Sequence, residues 1–301
     1  MTLRPRNFFS GAIDFAIFVI VIGFLKILSI FPIHVQQKTF IFVFASIFAP
    51  LMNWPTRIEE NLKLVRSDIN PRQRNQIAHR TLSNLASTLF EVFRPTYIVK
   101  LATNADITGP GVEFLEKAIS NEQPVILLSG HFGNYDVIRA KLIRRGMRLG
   151  ALYRPLNNLW LNKVYLKAIS ETGEPLFPRS NPGFTQMLRY IKCGGSIALL
   201  IDQHMDGGLP TSFFGKPAFT SSAAAKLSIK YGMPLIPIYA IRQPQGNHFT
   251  IWTDEPIEFT NELEMTQAFN DNLELVIREH MDQWSWPHRR WKPSRRKGKI
   301  G

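Results

Sequence analysis

The pattern of apolar and polar positions divides the chain into an apolar front and a longer body. Residues 11–33 carry only two charged side chains, Asp14 and Lys26, and a bilayer-spanning helix needs about 20 predominantly apolar residues. This run therefore predicts a transmembrane helix, with a buried core helix as the alternative. It is too long for a cleaved signal peptide. The next apolar run, residues 39–52, is short for a span and typical of an interfacial or re-entrant element.

Beyond residue 55 the chain alternates between strand-like and helix-like patterns. Short apolar runs predict strands at residues 125–128, 149–153, 197–201, 235–241 and 249–252. Helical apolar spacing predicts helices at residues 57–67, 71–93, 134–145, 157–172, 184–193, 221–231 and 261–283. This alternation is typical of the α/β class, and it predicts a mainly parallel sheet flanked by helices, with an N-terminal transmembrane helix. We expect a boundary between a membrane anchor with an interfacial segment, residues 1–55, and a larger domain, residues 56–301.

The composition limits the class of protein. Of 301 residues, 45% are hydrophobic and 20% are charged, which excludes a disordered or collagen-like chain. Cys193 is the only cysteine, so a disulfide framework and a multi-cysteine zinc or iron–sulfur site are excluded. Lysine and arginine number 36 against 23 acidic residues, a net charge of +13 that draws the protein to phosphate-rich surfaces such as nucleic acid, anionic lipid or acidic small molecules.

The basic residues are unevenly placed. Residues 288–301 hold no acidic side chain but seven basic ones, namely Arg289, Arg290, Lys292, Arg295, Arg296, Lys297 and Lys299. Such a run is typical of a solvated arm or an anion-binding surface. Nucleic-acid binding is disfavoured, because Trp291 is the one aromatic residue interleaved with them. Arg4 and Arg6 precede the first apolar run, whereas six basic residues follow the second between residues 57 and 80, which favours a cytoplasmic body.

The main candidate catalytic residues lie where the strand predicted at residues 125–128 is followed by a helix. In open α/β sheets, reactive groups collect at the carboxyl ends of the strands, which is where His131 stands. Asp136 comes five residues later, in the first helical turn. A carboxylate on one imidazole nitrogen fixes the tautomer and leaves the other nitrogen to accept a proton. We therefore predict His131 as a general base oriented by Asp136; the alternative is a histidine cap beside a carboxylate that stabilises the helix dipole.

Further polar residues follow later predicted strands. They are Arg154, Arg179, Asp202 and Gln203. Because parallel strands end at one edge of a sheet, Arg154 and Arg179 would bring positive charge beside the base, suited to phosphate or a developing oxyanion. Asp202 would position one of these arginines or a substrate hydroxyl. The alternatives are surface ion pairs for the arginines and a helix or turn cap for Asp202.

Other chemistries have little support in the sequence. It contains no G-x-S-x-G elbow, no P-loop and no G-x-G-x-x-G. Asp202, His204 and Asp206 could ligate a divalent metal together with His131 and Asp136, but no H-E-x-x-H or comparable zinc spacing accompanies them. We therefore expect no metal and no other cofactor.

Residues 131–136, HFGNYD, resemble the His-to-acid box of the bacterial lipid A late acyltransferases, the lauroyl and myristoyl transferases. The resemblance covers most of the chain. The full set of motifs in this order is more specific than the box alone, because glycerolipid acyltransferases share the box. After the N-terminal anchor the further matching motifs are Arg57-Ile58-x-x-Asn61-Leu62, Tyr153-Arg154-Pro155, Arg179, Asp202-Gln203, Phe213-Phe214-Gly215 with Thr220, and Trp286-x-His288-Arg289-Arg290-Trp291-Lys292. The turn at residues 213–215 fits core packing and acyl-chain contact equally well.

The resemblance implies an integral inner-membrane enzyme whose acyltransferase domain, residues 56–301 with the basic tail, faces the cytoplasm. It implies transfer of a fatty acyl group from acyl carrier protein to a hydroxyl of a lipid A precursor, with His131 and Asp136 catalytic. Arg154, Arg179, Asp202 and Gln203 would contact the substrates, with Arg154 as the oxyanion donor. One alternative is a related acyltransferase that acts on a glycerolipid or a glycosylated phosphatidylinositol. Another is a non-enzymatic, basic protein that binds membrane or nucleic acid.

Overall fold

The computed structural model describes residues 8–292, so Arg4, Arg6 and the basic residues beyond Lys292 lie outside the described part. Its helices are α1 (Phe8–Leu28), α2 (Ile33–Val43), α3 (Ala49–Leu51), α4 (Trp54–Val65), α5 (Pro71–Val92), α6 (Pro95–Thr103), α7 (Val112–Ser120), α8 (Tyr135–Arg144), α9 (Leu159–Thr172), α10 (Asn181–Lys192), α11 (Ala223–Tyr231) and α12 (Glu262–Glu279). Its strands are β1 (Asp106–Thr108), β2 (Ile126–Ser129), β3 (Leu149–Tyr153), β4 (Leu176–Pro178), β5 (Ser196–Leu200), β6 (Leu209–Phe213), β7 (Lys216–Thr220), β8 (Leu235–Arg242) and β9 (Phe249–Thr253). A π-helical segment, Phe44–Phe48, and a 3-10 turn, Met281–Gln283, complete the elements.

Seven strands form one mainly parallel sheet in the order β1-β9-β8-β2-β5-β3-β4. β9 runs antiparallel to β8, and β1 runs parallel to β9, so these two strands are reversed relative to the other five. Successive side chains of β2 point to opposite faces: Ile126 and Leu128 pack into one hydrophobic cluster and Leu127 into a second. Helices cover both faces, which confirms the predicted α/β class with a mainly parallel sheet.

The five predicted strands and seven predicted helices all form, with ends that shift by a few residues. Helix α5 begins with an N-cap, since the Asn70 side chain accepts from the N–H of Gln73 and Pro71 occupies the first helical position. Helix α6 was not predicted. Pro95 follows the end of α5, but a proline also suits the first turn of a helix, and it occupies that position in α6. The β6–β7 hairpin was missed because Pro210 and Pro217 interrupt its strands.

The predicted apolar helix at the front is α1. Among residues 8–292 it is the one unbent helix long and apolar enough to cross a membrane, and only 11% of its apolar window, Gly11–Leu28, is buried against the protein. The second apolar run belongs to a bent pair, in which Ile33–Leu51 meets Trp54–Val65 at 79°. Phe44 and Ala49 from this run pack into the main hydrophobic cluster. These two residues join the run to the larger body, and the boundary after residue 55 stays a prediction.

Candidate active site

The parallel register of β2 and β5 brings His131 and Asp202 together at the carboxyl edge of the sheet. Ser129 pairs with Leu200, and the chain runs two residues past each partner to reach His131 and Asp202. The imidazole Nδ1 of His131 lies 2.7 Å from Oδ1 of Asp202. The backbone N–H of His131 donates to Oδ2 of the same carboxylate over 2.8 Å. Asp202 therefore fixes the position and the tautomer of the ring.

Asp136 has a different partner, which corrects the prediction that it orients the imidazole. Its carboxylate accepts from Nε and Nη2 of Arg139, over 3.4 Å and 3.2 Å. Residues three apart lie on one face of a helix, so Arg139 holds Asp136 against α8, while the neighbouring strand end supplies the carboxylate for His131. Asp136 still lines the cavity beside His131, and its catalytic role stays a prediction.

His131 and Asp202 form a hydrogen-bonded pair that is largely shielded from water. The side chain of Asp202 is 2% exposed and that of His131 is 30% exposed. Burial alone would lower the pKa of His131, but the charge and hydrogen bond of Asp202 outweigh it and raise this pKa above its ordinary value. Burial also opposes the charge on Asp202, yet His131, together with the indole of Trp284, lowers the pKa of this carboxyl to about 2. Asp202 is therefore ionised at physiological pH.

The second imidazole nitrogen faces Gln203. With Nδ1–H donated to Asp202, Nε2 of His131 carries the lone pair, and the side-chain amide of Gln203 donates to it over 3.2 Å. A hydroxyl group that takes the place of this amide would hydrogen bond to Nε2 and could lose its proton to it. The geometry is suited to general-base activation of a bound alcohol.

A cavity of about 190 Å³ opens beside His131, between the sheet and helices α8 and α9. Its aliphatic walls are built by Leu127, Ile138, Ala151, Leu152, Ile169, Leu176, Ala198, Leu200 and Ile238. Its polar lining includes Ser129, Tyr135, Asp136, Arg139, Tyr153, Arg154 and Tyr165. Burial raises the pKa of Tyr135 well above its ordinary range and that of Tyr165 to about 12, so both phenols stay protonated. Aliphatic walls with a few hydrogen-bond donors suit a fatty chain joined to a polar group.

The two arginines predicted at the strand ends lie at the same edge of the sheet in different settings. Arg154 follows β3, and its exposed side chain lines the cavity. Arg179 follows β4, where its backbone N–H donates to the carbonyl of Tyr153 over 2.8 Å and its side chain is exposed. Arg154 can therefore reach a molecule in the cavity, whereas Arg179 lies outside the cavity lining.

Residues 281–292, here called the C-terminal segment, complete the site. The indole Nε1 of Trp284 donates to Oδ2 of Asp202 over 2.9 Å. The backbone N–H of Ser285 donates to the carbonyl of His131 over 2.9 Å. Sequence reasoning missed both residues, because it collected candidates only from the ends of strands. The tryptophan-rich motif in this segment was the signal that could have pointed to them.

Several motif residues act by holding the C-terminal segment in place. The Asn61 side chain on α4 donates to the carbonyls of Trp286 and His288, over 2.7 Å and 3.0 Å. Arg290 is buried and donates to the Thr220 hydroxyl over 2.6 Å. Phe213 and Phe214 are buried in the same cluster as the tryptophans, so this turn packs the core rather than lining the cavity. Within residues 8–292, no group of three or more His, Cys, Asp or Glu residues is placed to hold a metal ion.

A buried ion pair supports the loop between His131 and α8. Glu91 on α5 accepts from both terminal nitrogens of Arg242, at the end of β8, over 2.6 Å and 2.8 Å. The same carboxylate accepts from the side-chain amide of Asn134 over 2.7 Å. Asn134 in turn caps α8 by accepting from the N–H of Asp136 over 3.1 Å. No sequence motif marked Glu91 or Arg242, and the pair ties α5 and the sheet to the loop that carries the base.

A family model described as bacterial lipid A biosynthesis acyltransferase matches residues 10–293. The chain belongs to this family. Membership of the lipid A biosynthesis acyltransferase family confirms the resemblance seen in the motifs and makes the protein an acyltransferase enzyme. The His131–Asp202 pair and its cavity lie within the matched residues.

Individual proteins outside the family model show a more distant similarity to this lipid A acyltransferase family member. The phosphatidylinositol mannoside acyltransferases of Mycobacterium tuberculosis strains CDC 1551 / Oshkosh and ATCC 25618 / H37Rv are 24% and 23% identical to it over 207 residues. The match covers 67% of this chain and 66% of each relative, just under two thirds of their length. A solved structure, the 1-acyl-sn-glycerophosphate (LPA) acyltransferase PlsC from Thermotoga maritima, is 14% identical with a TM-score of 0.37, covering 80% of this chain and 99% of that chain.

Proposed function

We propose that this family member transfers a fatty acyl group from acyl carrier protein to a hydroxyl group of a lipid A precursor, at the cytoplasmic face of the inner membrane. The observation that carries the proposal is the buried His131–Asp202 pair beside a mostly aliphatic cavity. A base with a free nitrogen suits an alcohol acceptor, and aliphatic walls suit the acyl chain. Family membership supports a membrane lipid as the acceptor.

In the proposed reaction His131 is the general base. Its Nε2 takes the proton of the acceptor hydroxyl as the oxygen attacks the thioester carbonyl. The C–S bond then breaks, and the imidazolium returns the proton to the departing thiolate, so that an ester and a free thiol result. Asp202 keeps its negative charge throughout and stabilises the imidazolium between the two proton transfers.

The thioester oxygen gains negative charge in the transition state and needs hydrogen-bond donors. Arg154 lines the cavity, and the Gln203 amide lies 3.2 Å from the reacting nitrogen of His131. We assign the oxyanion to these two side chains, each worth roughly 3 kcal/mol in enzymes where such a donor was removed. Exposed Arg179 is placed to meet a phosphate outside the cavity. Asp136, held by Arg139, shapes the cavity wall.

The charge and the front helix support the choice of partners. A net charge of +13 favours both an acidic carrier protein and a phosphorylated lipid. Helix α1 is long and apolar enough to hold the enzyme at a bilayer, where a lipid acceptor resides. The proposed chemistry uses only side chains of this chain and the activated thioester, and it calls on no metal or nucleotide.

A glycosylated phosphatidylinositol is the second candidate acceptor, because similarity to the phosphatidylinositol mannoside acyltransferases favours it. The purified full-length enzyme should therefore be assayed with both acceptors and with acyl groups on carrier protein or on coenzyme A. We expect turnover with lipid A precursor and acyl carrier protein. Turnover with the mannoside alone would reject the lipid A acceptor but keep the reaction, and turnover with coenzyme A alone would reject the carrier protein. Mass spectrometry of lipid A from cells with and without the protein then identifies the missing acyl chain.

A further inference from the structure

The segments that follow β3 and β4, each a short loop and the start of a helix, carry exposed apolar side chains. Four residues, here called the rim patch, are 37%, 50%, 42% and 37% exposed: Leu156, Leu159, Trp160 and Phe184. β3 and β4 are neighbours and run parallel to β2 and β5. The rim patch therefore lies at the carboxyl edge of the sheet, the edge that also holds His131 and Asp202.

Helix α1 contacts the rim patch at Trp160 and the neighbouring Asn158. The ring of Trp160 packs against Phe15 and Phe18, with centroids 5.2 Å and 6.1 Å apart. The Asn158 side chain donates to the backbone carbonyl of Asp14 over 2.7 Å. Phe15 and Phe18 belong to the apolar window of α1, most of which is open to its surroundings. A lipid phase that surrounds α1 therefore also reaches the open face of Trp160.

Basic side chains border the rim patch. The Lys163 ammonium lies 5.4 Å over the Trp160 ring, and Arg154 and Arg179 are exposed at the same edge. Tryptophan beside lysine and arginine is the usual composition of a protein surface at the membrane–water interface, and clustered basic groups attract anionic head groups. A second copy of this chain is a poor occupant, because it would place the same positive charges against each other.

We propose that the rim patch is a second membrane contact, inserted among anionic head groups beside α1. The contact turns the mouth of the candidate site toward the bilayer, so that a lipid reaches His131 without crossing water. The proposal stands on the contacts between α1 and α9 and does not depend on the acyl donor or acceptor. It would hold for any reaction at this site.

Cys193 provides a natural control position. It is exposed and precedes β5, at the amino edge of the sheet. A nitroxide label is placed on Cys193 of the wild-type chain. In two further proteins Cys193→Ser removes this site, and the label is placed on Leu159→Cys or on Phe184→Cys. Each full-length protein is studied in vesicles of phosphatidylethanolamine and phosphatidylglycerol. We expect labels at positions 159 and 184 to collide severalfold more with oxygen, and severalfold less with an aqueous nickel complex, than the label at 193.

Two outcomes overturn the proposal. Nickel collisions at 159 and 184 that equal those at 193 would show a water-facing surface. Shielding from both oxygen and nickel would show contact with protein, including a second copy of the chain. Charge is tested with Lys163→Glu, which should raise nickel collisions at position 159, and with Lys192→Glu, the same change at the amino edge, which should not. Equal effects of the two variants would attribute the attraction to net charge and count against a local contact.

Discussion

The indole of Trp284 donates to the carboxylate of Asp202 over 2.9 Å. The oxygen that accepts this bond also accepts the backbone N–H of His131, which leaves the other oxygen to the imidazole. Three donors thus hold one buried carboxylate: two belong to His131, and the third belongs to Trp284, which lies 82 residues beyond Asp202 along the chain. The orientation of the base depends on a tryptophan that touches no part of the imidazole in this network.

Trp284→Phe should lower kcat by about 10- to 150-fold and leave KM unchanged, because a hydrogen bond to a charged group contributes about 1.5–3 kcal/mol. The phenyl ring keeps most of the packing against Phe213 and Trp286. Steady-state acyl-transfer kinetics measure the change. Trp286→Phe is the matched control, since it removes an indole N–H that donates to the Met281 carbonyl instead. Equal losses in both variants would attribute the effect to packing of the segment.

His131→Ala should lower the rate by about 10²–10⁴ or more, because it removes the general base. The variant should keep its fold but lose some stability, since the buried Asp202 carboxylate loses its imidazole partner and keeps the backbone N–H and the Trp284 indole. The rate is measured with purified enzyme and the lipid product by mass spectrometry of cells. A basic binding protein without catalysis would instead keep its activity in cells after this change. That outcome would reject the assignment of the base.

The pH dependence of kcat/KM should reflect the raised pKa of His131. Because the neutral imidazole is the active form, activity should rise with pH through a value above the ordinary 6.5. Asp202→Asn removes the charge that raises this pKa and leaves burial, which lowers it. The acid limb should therefore move to lower pH, while the maximum rate falls. If the acid limb of kcat/KM stays at the same pH in Asp202→Asn, a group other than His131 controls that limb.

Asp136→Asn distinguishes the role of Asp136 from that of Asp202. Asp136 pairs with Arg139 and not with the imidazole, so this variant should leave the acid limb where it is in the wild type. A loss of rate without a shift of the limb would assign Asp136 to the cavity wall. A shift as large as that in Asp202→Asn would make Asp136 a direct partner of the base, against the geometry of the pair.

Glu91→Gln should lower the free energy of unfolding by about 3–5 kcal/mol, because it leaves Arg242 as a buried, unpaired charge. The double variant Glu91→Leu, Arg242→Met should recover much of this loss, since it removes both charges. Urea unfolding of the wild type, Glu91→Gln and the double variant measures the free energy of unfolding of each. Glu113→Gln, which breaks an exposed pair with Lys117, should change stability little. A small effect of Glu91→Gln would mean that water reaches Arg242.

Ala198→Leu should shift the preferred acyl chain toward shorter lengths. Ala198 lies on β5 and lines the cavity, and a larger side chain there removes space from an aliphatic wall. Competition between thioesters of different chain lengths measures the shift. The rate with the shortest chain is the internal control and should change little. An unchanged preference would place the acyl chain elsewhere.

The sequence predicted His131 and Asp202 as site residues but not their contact. Each follows a strand whose apolar run is easy to see, and both lie at the carboxyl edge that parallel strands share. The pairing was assigned to Asp136 because chain proximity was the only guide, whereas β2 and β5 become neighbours through sheet order. Two strands lie between them along the chain, and nothing in the local pattern fixes which strand inserts where.

Long-range contacts explain the other residues that sequence reasoning missed. Trp284 and Glu91 act on the site from elements distant in the chain, and neither lies in a local pattern typical of catalysis. Strand β1 has three residues, too few for a periodic signal. Apolar periodicity thus identified long elements and their ends, while the polar network that joins them depended on tertiary packing.

Completion of the site by the C-terminal segment sets an order of events during synthesis on the ribosome. Helix α1 emerges first and can reach the bilayer while most of the polypeptide is still being made. Trp284 and Ser285, which hold Asp202 and His131, are among the last described residues to emerge. A chain that stops before these residues still holds the strands that carry His131 and Asp202, but it lacks two of the hydrogen bonds that position the pair. Such a chain should therefore turn over more slowly than one that includes the C-terminal segment.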